Sequence, residues 1–514
     1  MEIKLLREEI PLEVLSSSGQ STATVEGSVA LPGGLREEAH VLHAGGYAAV
    51  QRAESQPGRV LVDGRVMFHA LYTQGSAQRV NALEATADFT HAMELPGATA
   101  QSRAQVEAVV ERVEASASAG QMSLRATVRI TARSMDVCPV DAVTGIFGVD
   151  GLEERTKEIT LQCTAARGSE EVLLREEFDL PASMSVRDTL YATATAQVSE
   201  VTGGEGSMGV SGVVRLEAVH ASDADGVPLV ITRHTLPFEA TVALQGTGGD
   251  QLSATPLIRD VAVASQDGGD GSRTLRAEVQ LLIEGRSARQ EKLTVLDDAY
   301  TTTGDTLSFS RETRRAHVAD TSVQAAESGK AMLMLPEGTP PIRQVLSAYV
   351  TPRLQAHRST GARLVTEGML DLTLIATSRV NGELLSVRME EPFRITFDAD
   401  APAPDSIALS VDSVDASALT ADRAELRYIM YLCSQGMETA DVTLVTDVQQ
   451  QPAAPEQSRI VLYFAQPGDT LWSLAERYRV TEDSIRRLNP ELQDEPQTGQ
   501  GIVIWHRSPG EPDV

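Results

Sequence analysis

Three segments of the chain share one pattern: GRVMFHA (64–70), GVVRLEA (212–218) and GMLDLTL (368–374). Each begins with a glycine and then places an apolar residue two, four and six positions later. These apolar residues are Val66, Phe68 and Ala70, then Val214, Leu216 and Ala218, then Leu370, Leu372 and Leu374. Because side chains alternate between the two faces of a strand, the pattern predicts a β-strand with one face on a core and the other toward water.

The surroundings of these segments repeat as well. A Leu-Pro pair precedes each glycine at a nearly constant interval, and a phenylalanine follows each glycine at a nearly constant interval. A Leu-Arg pair closes each unit, and the leucines of these pairs are equally spaced along the chain. The landmarks are Pro32, Gly64, Phe89 and Leu124, then Pro181, Gly212, Phe238 and Leu275, then Pro336, Gly368, Phe393 and Leu426. This period exceeds the roughly 20–50 residues of solenoid repeats, so we expect three tandem copies of one domain.

The expected fold class is mainly β. Glycine-rich links such as QDGGDGS (266–272) and VNGEL (380–384) separate strands at hairpin distance, so each copy should be an antiparallel, sandwich-like domain with at most one short helix after its Leu-Pro pair. A chain of 514 residues is also too long for a single core. The expected organisation is an N-terminal segment at 1–27, domains at 28–150, 175–305 and 330–447, a linker at 448–458 and a C-terminal module at 459–507.

The composition of the chain indicates which classes of partner are disfavoured and in which compartment we expect the protein. The net charge of −28 opposes binding to nucleic acid or to anionic lipid, both of which need clustered cations. Three cysteines without a CxxC pair indicate reduced thiols. The opening MEIKLLREEIPLEVL breaks its apolar run with charges, so we expect no signal peptide, and no apolar run approaches the ~18 residues of a membrane span. We therefore expect a cytoplasmic protein.

Motifs for catalysis or metal binding are weak. His40 and His43 lack the internal glutamate of a zinc helix, so surface histidines are the favoured interpretation. The glycines of GGEGSMG (203–209) satisfy a dinucleotide-binding pattern, but a strand rather than a helix follows them, which favours a hairpin loop. Gly329-Lys330 lacks the rest of a phosphate loop, and QDGGDGS lacks the twelfth-position acid of a calcium loop. We expect no enzyme activity, no cofactor and no metal site.

The stretch YFAQPGDTLWSLAERYRVTEDSIRRLNPEL (463–492) differs from everything before it. A strand over 459–465 ends at a Pro-Gly turn, and Leu471, Leu474, Ala475 and Tyr478 then recur on one helical stripe. Thr481 can cap a second helix, which must end at Asn489-Pro490. GIVIWH (501–506) supplies a closing strand, so the predicted order is β-α-α-β.

This module resembles a LysM domain through Tyr463, the run from Pro467 to Trp472, Asn489-Pro490 and Gly499-Gln500. The resemblance implies a shallow groove for N-acetylglucosamine polymers. The residues that would line this groove are Gly468, Asp469, Thr470, Leu471, Asn489, Pro490 and Glu491. The alternative is structural, because Leu471 and Trp472 could pack the small core and Gly468 could only make the turn.

Three mainly-β copies followed by one LysM module resemble the SipL-type spore-coat morphogenetic proteins, whose repeated unit is the SPOCS domain, formerly DUF3794. The resemblance implies a scaffold on the mother-cell side of the forespore surface that docks through its LysM domain onto a coat-basement ATPase. The alternative is a LysM binder of peptidoglycan or its precursors. The module's own charge is only −1, and the residues expected at a protein interface are Trp472, Arg477, Arg479, Arg486 and Arg487.

Overall fold

A computed structural model describes residues 3–32, 39–74, 79–224, 227–246, 249–267, 272–303, 305–398, 406–452 and 459–506. Nearly all of the chain before residue 452 is strand, as the alternating pattern predicts. The first copy contains β1 (Lys4–Ala30), β2 (Ala39–Gln56), β3 (Arg59–Gln74), β4 (Arg79–Glu94), β5 (Arg103–Ser118) and β6 (Gln121–Phe147). The second contains β7 (Leu152–Leu180), β8 (Val186–Gly204), β9 (Ser207–Ala224), β10 (Val227–Ala243), β11 (Gln245–Gly246), β12 (Gln251–Asp267) and β13 (Arg273–Thr301). The third contains β14 (Thr306–Met334), β15 (Ile342–Ser359), β16 (Arg363–Ser378), β17 (Leu384–Asp398), β18 (Ser406–Ala418) and β19 (Arg423–Gln451).

Each copy is a two-layer antiparallel sandwich. One layer is a three-stranded meander, β2-β3-β4, β8-β9-β10 or β15-β16-β17. The other layer holds two long strands and a shorter one, β1-β6-β5, β7-β13-β12 or β14-β19-β18. The first and third copies share one six-stranded sheet, in which β1 meets β14 at Val14 and Ala316. Alternate residues of both layers fill a separate apolar core in every copy. In the second copy, a 3-10 turn over Ala182–Met184 follows Pro181, which agrees with the expectation of at most one short helix after each Leu-Pro pair.

The repeated glycine and phenylalanine are explained by one contact. In all three copies they are direct cross-strand partners: Gly64 with Phe89, Gly212 with Phe238 and Gly368 with Phe393. A Cβ built on each glycine would lie 2.5, 2.5 and 2.9 Å from the nearest ring atom. The phenylalanine ring therefore occupies the space that a side chain at the glycine would need. The three glycines hold equivalent places in the middle strand of each meander, as the repeat predicts.

The long strand pairs continue beyond the sandwiches and pack against one another. Apolar side chains from the far halves of β1, β6, β7, β13, β14 and β19 form shared buried clusters, which include Ile10, Val140, Leu161, Val295, Ala316 and Val442. The meanders also meet, since the residue seven positions after each landmark glycine (Leu71, Val219 or Ile375) lies in a single buried cluster. The copies are therefore domains with their own cores, and within the described residues they share three further buried clusters. Sequence periodicity alone does not reveal this shared packing.

The strands cross several of the expected domain boundaries. Residues 28, 175 and 330 fall inside β1, β7 and β14, and residue 447 falls inside β19. The N-terminal segment expected at 1–27 therefore lies largely in β1, which pairs with β6 from Lys4 to Ala30. The physical reason is that the sequence landmarks lie in the sandwiches, whereas the first halves of β1, β7 and β14 carry none. Residues 448–451 of the expected linker belong to β19, and 453–458 lie outside the described residues.

Residues of the weak sequence motifs lie in turns, at the surface or in contacts between copies. Gly204 and Gly206 lie at the turn between β8 and β9, and Gly206 has a φ of +67°. Positions 268–271 of QDGGDGS lie outside the described residues. His40 is exposed, as expected, but His43 is not a surface histidine, because its ring stacks on Tyr349 of the third copy with centroids 3.7 Å apart. Burial lowers the pKa of His43 well below its ordinary value. Its ring partner belongs to a different copy, so the spacing of histidines could not predict this contact.

Candidate protein-docking site on the C-terminal module

The C-terminal module has the predicted β-α-α-β order: β20 (Arg459–Phe464), α1 (Leu471–Tyr478), α2 (Glu482–Leu488) and β21 (Gly501–His506). Thr470 caps α1 through a reciprocal pair of hydrogen bonds with Ser473, and Thr481 caps α2. Strands β20 and β21 pair antiparallel from Arg459 with His506 to Phe464 with Gly501.

The helices cover one face of this two-stranded sheet. The buried residues are Ala465, Leu471, Leu474, Ala475, Val480, Ile485, Leu492, Ile502 and Ile504. Three of the four residues of the predicted stripe on α1 are therefore buried, and Tyr478 is half-buried. The apolar spacing of α1 thus builds the core of the module.

The residues expected to line the groove lie on two adjoining segments. Gly468 makes the turn with a φ of +88°, which glycine adopts without strain. Leu471 is only 1% exposed, so its side chain belongs to the core. Its backbone N–H donates to the carbonyl of Asp494 over 2.8 Å and so joins the two segments. Pro490 and Glu491 are exposed on the second segment.

Asp469 and Asn489 are already engaged within the module. The Asp469 carboxylate accepts hydrogen bonds from Tyr463 Oη and from the Gln466 backbone N–H, each over 2.7 Å. Burial alone would raise the pKa of Asp469, but these hydrogen bonds and the charge of Arg477 hold it below its ordinary value. Asn489 donates to the Val503 carbonyl over 2.7 Å and accepts from the Val503 N–H over 2.9 Å. These side chains therefore fix the module's own loops.

Trp472 anchors the module to the second copy. Its Nε1–H donates to Asp298 Oδ2 over 3.1 Å, and its ring meets the edge of Tyr300 at a centroid distance of 4.9 Å. The Arg155 guanidinium lies 5.1 Å from the ring centre. Tyr300 in turn donates its hydroxyl to the Val480 carbonyl over 2.8 Å. Trp472 is thus an intramolecular contact residue, which sequence could not show because Asp298 and Tyr300 lie in the second copy, separated from it by the whole third copy.

The four arginines of the expected interface have different surroundings. Arg477 lies 2.9 Å from Tyr463 Oη and 3.4 Å from Asp469 Oδ1. Arg479 ends α1 with a left-handed φ of +52°. Arg486 pairs with Asp494. Arg487 is exposed, and within the described residues no carboxylate lies at ion-pair distance from it. Of the four, Arg487 is the most available to a partner.

The outer face of the β20–β21 sheet is apolar, and no other part of the described chain covers it. Ile460, Leu462 and Phe464 alternate along β20 with exposed fractions of 70%, 61% and 56%. Val503, the direct cross-strand partner of Leu462, is 36% exposed. We call these four residues the outer sheet face. The sequence could have indicated this exposed face, because the residues on both faces of IVLYFA (460–465) are apolar although the two helices can cover only one face of the sheet.

Comparison with known families agrees with this architecture. The model of the SipL SPOCS domain matches residues 39–118, and that of the LysM domain matches residues 463–505. The chain carries a SipL-type SPOCS domain and a C-terminal LysM domain. This confirms the predicted resemblance and indicates a sporulation protein with a LysM module; both families are non-catalytic. The SPOCS match extends from the first residue of β2 to the last of β5, between the two long strands.

No curated protein and no solved structure shows a significant match to the chain. The equivalence of the second and third copies to the SPOCS domain therefore rests on their shared landmarks and strand order. Among the described residues, no helix is long and apolar enough to cross a membrane.

Proposed function

We propose that this chain is a non-enzymatic scaffold of spore-coat assembly that docks through its LysM domain onto a coat-basement ATPase. It acts at the forespore surface, on the cytoplasmic, mother-cell side. Two features support a scaffold role: the SPOCS and LysM families are non-catalytic, and three similar domains in one chain offer several related surfaces for multivalent binding.

The observation that carries the proposal is the outer sheet face of the LysM domain. Soluble proteins rarely leave a contiguous apolar patch uncovered unless it binds something. A glycan offers mainly hydroxyl and acetamide groups, whereas a protein partner can bury apolar side chains against Ile460, Leu462 and Phe464. The anchor at Trp472 leaves this face exposed. The exposed Arg487 on α2 adds a cation that can pair with a carboxylate of the partner.

A second candidate is binding of peptidoglycan or its N-acetylglucosamine-containing precursors. The specific observation in its favour is that Leu471, on the first expected groove segment, is hydrogen-bonded to Asp494, which follows the second expected segment on the loop before β21. The space beside Gly468 is also open, since a Cβ there would meet no atom within 4 Å. Against it, Leu471 is buried, and Asp469 and Asn489 are engaged internally.

Binding of the full chain to the purified ATPase tests the proposal. Leu462→Glu puts a charge on the outer sheet face at a position that is 61% exposed, so the fold should survive while affinity falls at least tenfold. Val380→Glu is the matched control, because Val380 is 77% exposed in the third copy, away from the LysM domain. The same proteins are titrated with N-acetylglucosamine oligomers.

Two outcomes overturn the proposal. If Leu462→Glu binds the ATPase as tightly as Val380→Glu, the outer sheet face is not the docking surface. If the wild-type chain ignores the ATPase but binds the oligomers at micromolar strength, the glycan candidate replaces the scaffold.

A further inference from the structure

A polar network lies where the three copies meet. Glu13 of β1 accepts hydrogen bonds from the Thr164 backbone N–H over 2.7 Å and from its hydroxyl over 3.2 Å. Arg286 of β13 donates to Asp320 of β14 over 2.6 Å. His317 Nε2 lies 2.9 Å from Asp320 Oδ1, and its Nδ1 lies 3.8 Å from Glu13 Oε2. The two carboxylates are therefore already matched by Arg286, His317 and Thr164.

Two further arginines of this region have no such match. Arg103, from β5 of the first copy, and Arg167, from β7 of the second, are half-buried. The Nε atoms of both are buried without a hydrogen-bond partner. Arg167 makes a long hydrogen bond, 3.5 Å from Nη2 to Thr164 Oγ1. Within the described residues, neither guanidinium has a carboxylate at ion-pair distance. We call Arg103 and Arg167 the junction arginines.

The charged side chains around the junction arginines shift the pKa of these arginines in opposite directions. Burial and the neighbouring charges of Arg103 and Arg286 lower the pKa of Arg167 to about 10, although Glu13 and Glu284 act in the opposite direction. Burial likewise lowers the pKa of Arg103. Counting Arg103, Arg167, Arg286 and a protonated His317 against Glu13, Asp320 and Glu284 leaves one positive charge in excess. This local excess is unexpected in a chain whose net charge is −28.

Unpaired buried charges are costly, and an unsatisfied buried donor calls for a ligand that satisfies it. Guanidinium groups bind phosphate oxygens through two parallel N–H donors, and two of them on different strands can hold one tetrahedral anion. We propose that the junction arginines form a binding site for a small oxyanion of the phosphate class, held between the first and second copies.

Such an anion adds a link between two copies that also meet through apolar clusters and through hydrogen bonds such as those of Glu13 with Thr164. Because it binds the folded arrangement and not the unfolded chain, it raises stability as its concentration rises. The same anion reverses the effect of removing a junction arginine. When no anion is bound, Arg167 is an uncompensated cation, so its removal relieves repulsion. When the anion is bound, Arg167 is one of its ligands, so its removal weakens the site.

The test uses the full chain at constant ionic strength, with sodium chloride exchanged for inorganic phosphate. The thermal midpoint of the wild-type chain should rise saturably with phosphate, and isothermal titration calorimetry should give a dissociation constant in the millimolar range or tighter. Arg103→Gln and Arg167→Gln should each weaken binding at least tenfold. Arg175→Gln is the matched control, because Arg175 also lies on β7 but pairs with Glu278 over 2.9 Å at the surface.

The sign of the stability change separates a ligand role from a packing role. Arg167→Gln should be as stable as the wild-type chain, or more stable, in chloride alone and less stable in saturating phosphate. A variant that is less stable by the same amount in both buffers shows that the side chain only packs, which overturns the proposal. Absence of saturable phosphate binding by the wild-type chain also overturns it, whatever the variants do.

Discussion

The contact between the landmark glycines and phenylalanines predicts that a glycine-to-alanine substitution destabilises the copies to different extents. At Gly212 a Cβ would lie 2.3 Å from the Gln197 backbone carbonyl oxygen and 2.5 Å from the Phe238 ring. The carbonyl belongs to the neighbouring strand and cannot withdraw without disturbing the ladder. At Gly64 the nearest carbonyl oxygen is 3.0 Å away, and the close contacts are ring atoms of Phe89. We therefore expect Gly212→Ala to destabilise the fold by about 2 kcal/mol and Gly64→Ala by about 1 kcal/mol.

Differential scanning calorimetry of the full chain measures the difference. A unit of 150–250 residues shifts its midpoint by about 2–4 °C per kcal/mol, so Gly212→Ala should lower the transition by about 4–8 °C. Gly145→Ala is the control, because its added Cβ would find its nearest neighbours at 3.9 Å. A double-mutant cycle adds the ring: Phe89→Leu should offset much of the Gly64→Ala loss, whereas Phe238→Leu should not rescue Gly212→Ala, where the carbonyl remains. If Gly212→Ala melts with the wild-type chain, the explanation of the repeated pair is wrong.

Four further predictions concern the pH dependence of two histidines, the contact that anchors the C-terminal module, and its arginines. Burial alone would lower the pKa of His317, but the neighbouring carboxylates of Asp320 and Glu13 raise it to about 9. Its contribution to stability is therefore complete below its ordinary pKa of 6.5 and is lost as pH rises through 9, so His317→Gln should flatten the alkaline fall in the thermal midpoint. Burial lowers the pKa of His69 to about 4, so its contribution to stability is present above pH 6.5 and is lost as pH falls toward 4. Thermal melts between pH 7 and 4 should therefore show a smaller fall of the midpoint for His69→Gln than for the wild-type chain. Tyr300→Phe removes the hydroxyl that donates a hydrogen bond to the Val480 carbonyl of the module. Amide hydrogen exchange in α1 should then become faster, while the strands of the sandwiches stay protected. Unchanged exchange would show that this hydrogen bond does not hold the module in place. Replacing Arg486 and Arg487 by Glu should weaken binding to the ATPase by more than about 1.4 kcal/mol in calorimetry, with unchanged circular dichroism as the check on folding.

The sequence determined the elements and the repeat because each depends on local spacing. Alternation at 66–70 and its counterparts predicted strands, and the near-constant intervals from glycine to phenylalanine predicted three equivalent sandwiches. The apolar stripe from Leu471 to Tyr478, the cap Thr481 and the Asn489-Pro490 stop predicted both helices of the LysM domain. These signals lie within one turn or one hairpin, where chain geometry leaves few alternatives.

Only the tertiary structure decided what these elements contact. The long strands carry no landmark in their far halves, so nothing local indicated that Ile10, Leu161 and Ala316 share one cluster. The sequence left Trp472 as a core residue or a partner contact. It packs against the module's core and also donates a hydrogen bond to Asp298, because a distant strand supplies a carboxylate and an aromatic ring beside it. Likewise, Arg103 and Arg167 are ordinary strand arginines in sequence. Their buried Nε groups lack a hydrogen-bond partner within the described residues because folding brings two copies together and pairs the nearby Asp320 with Arg286.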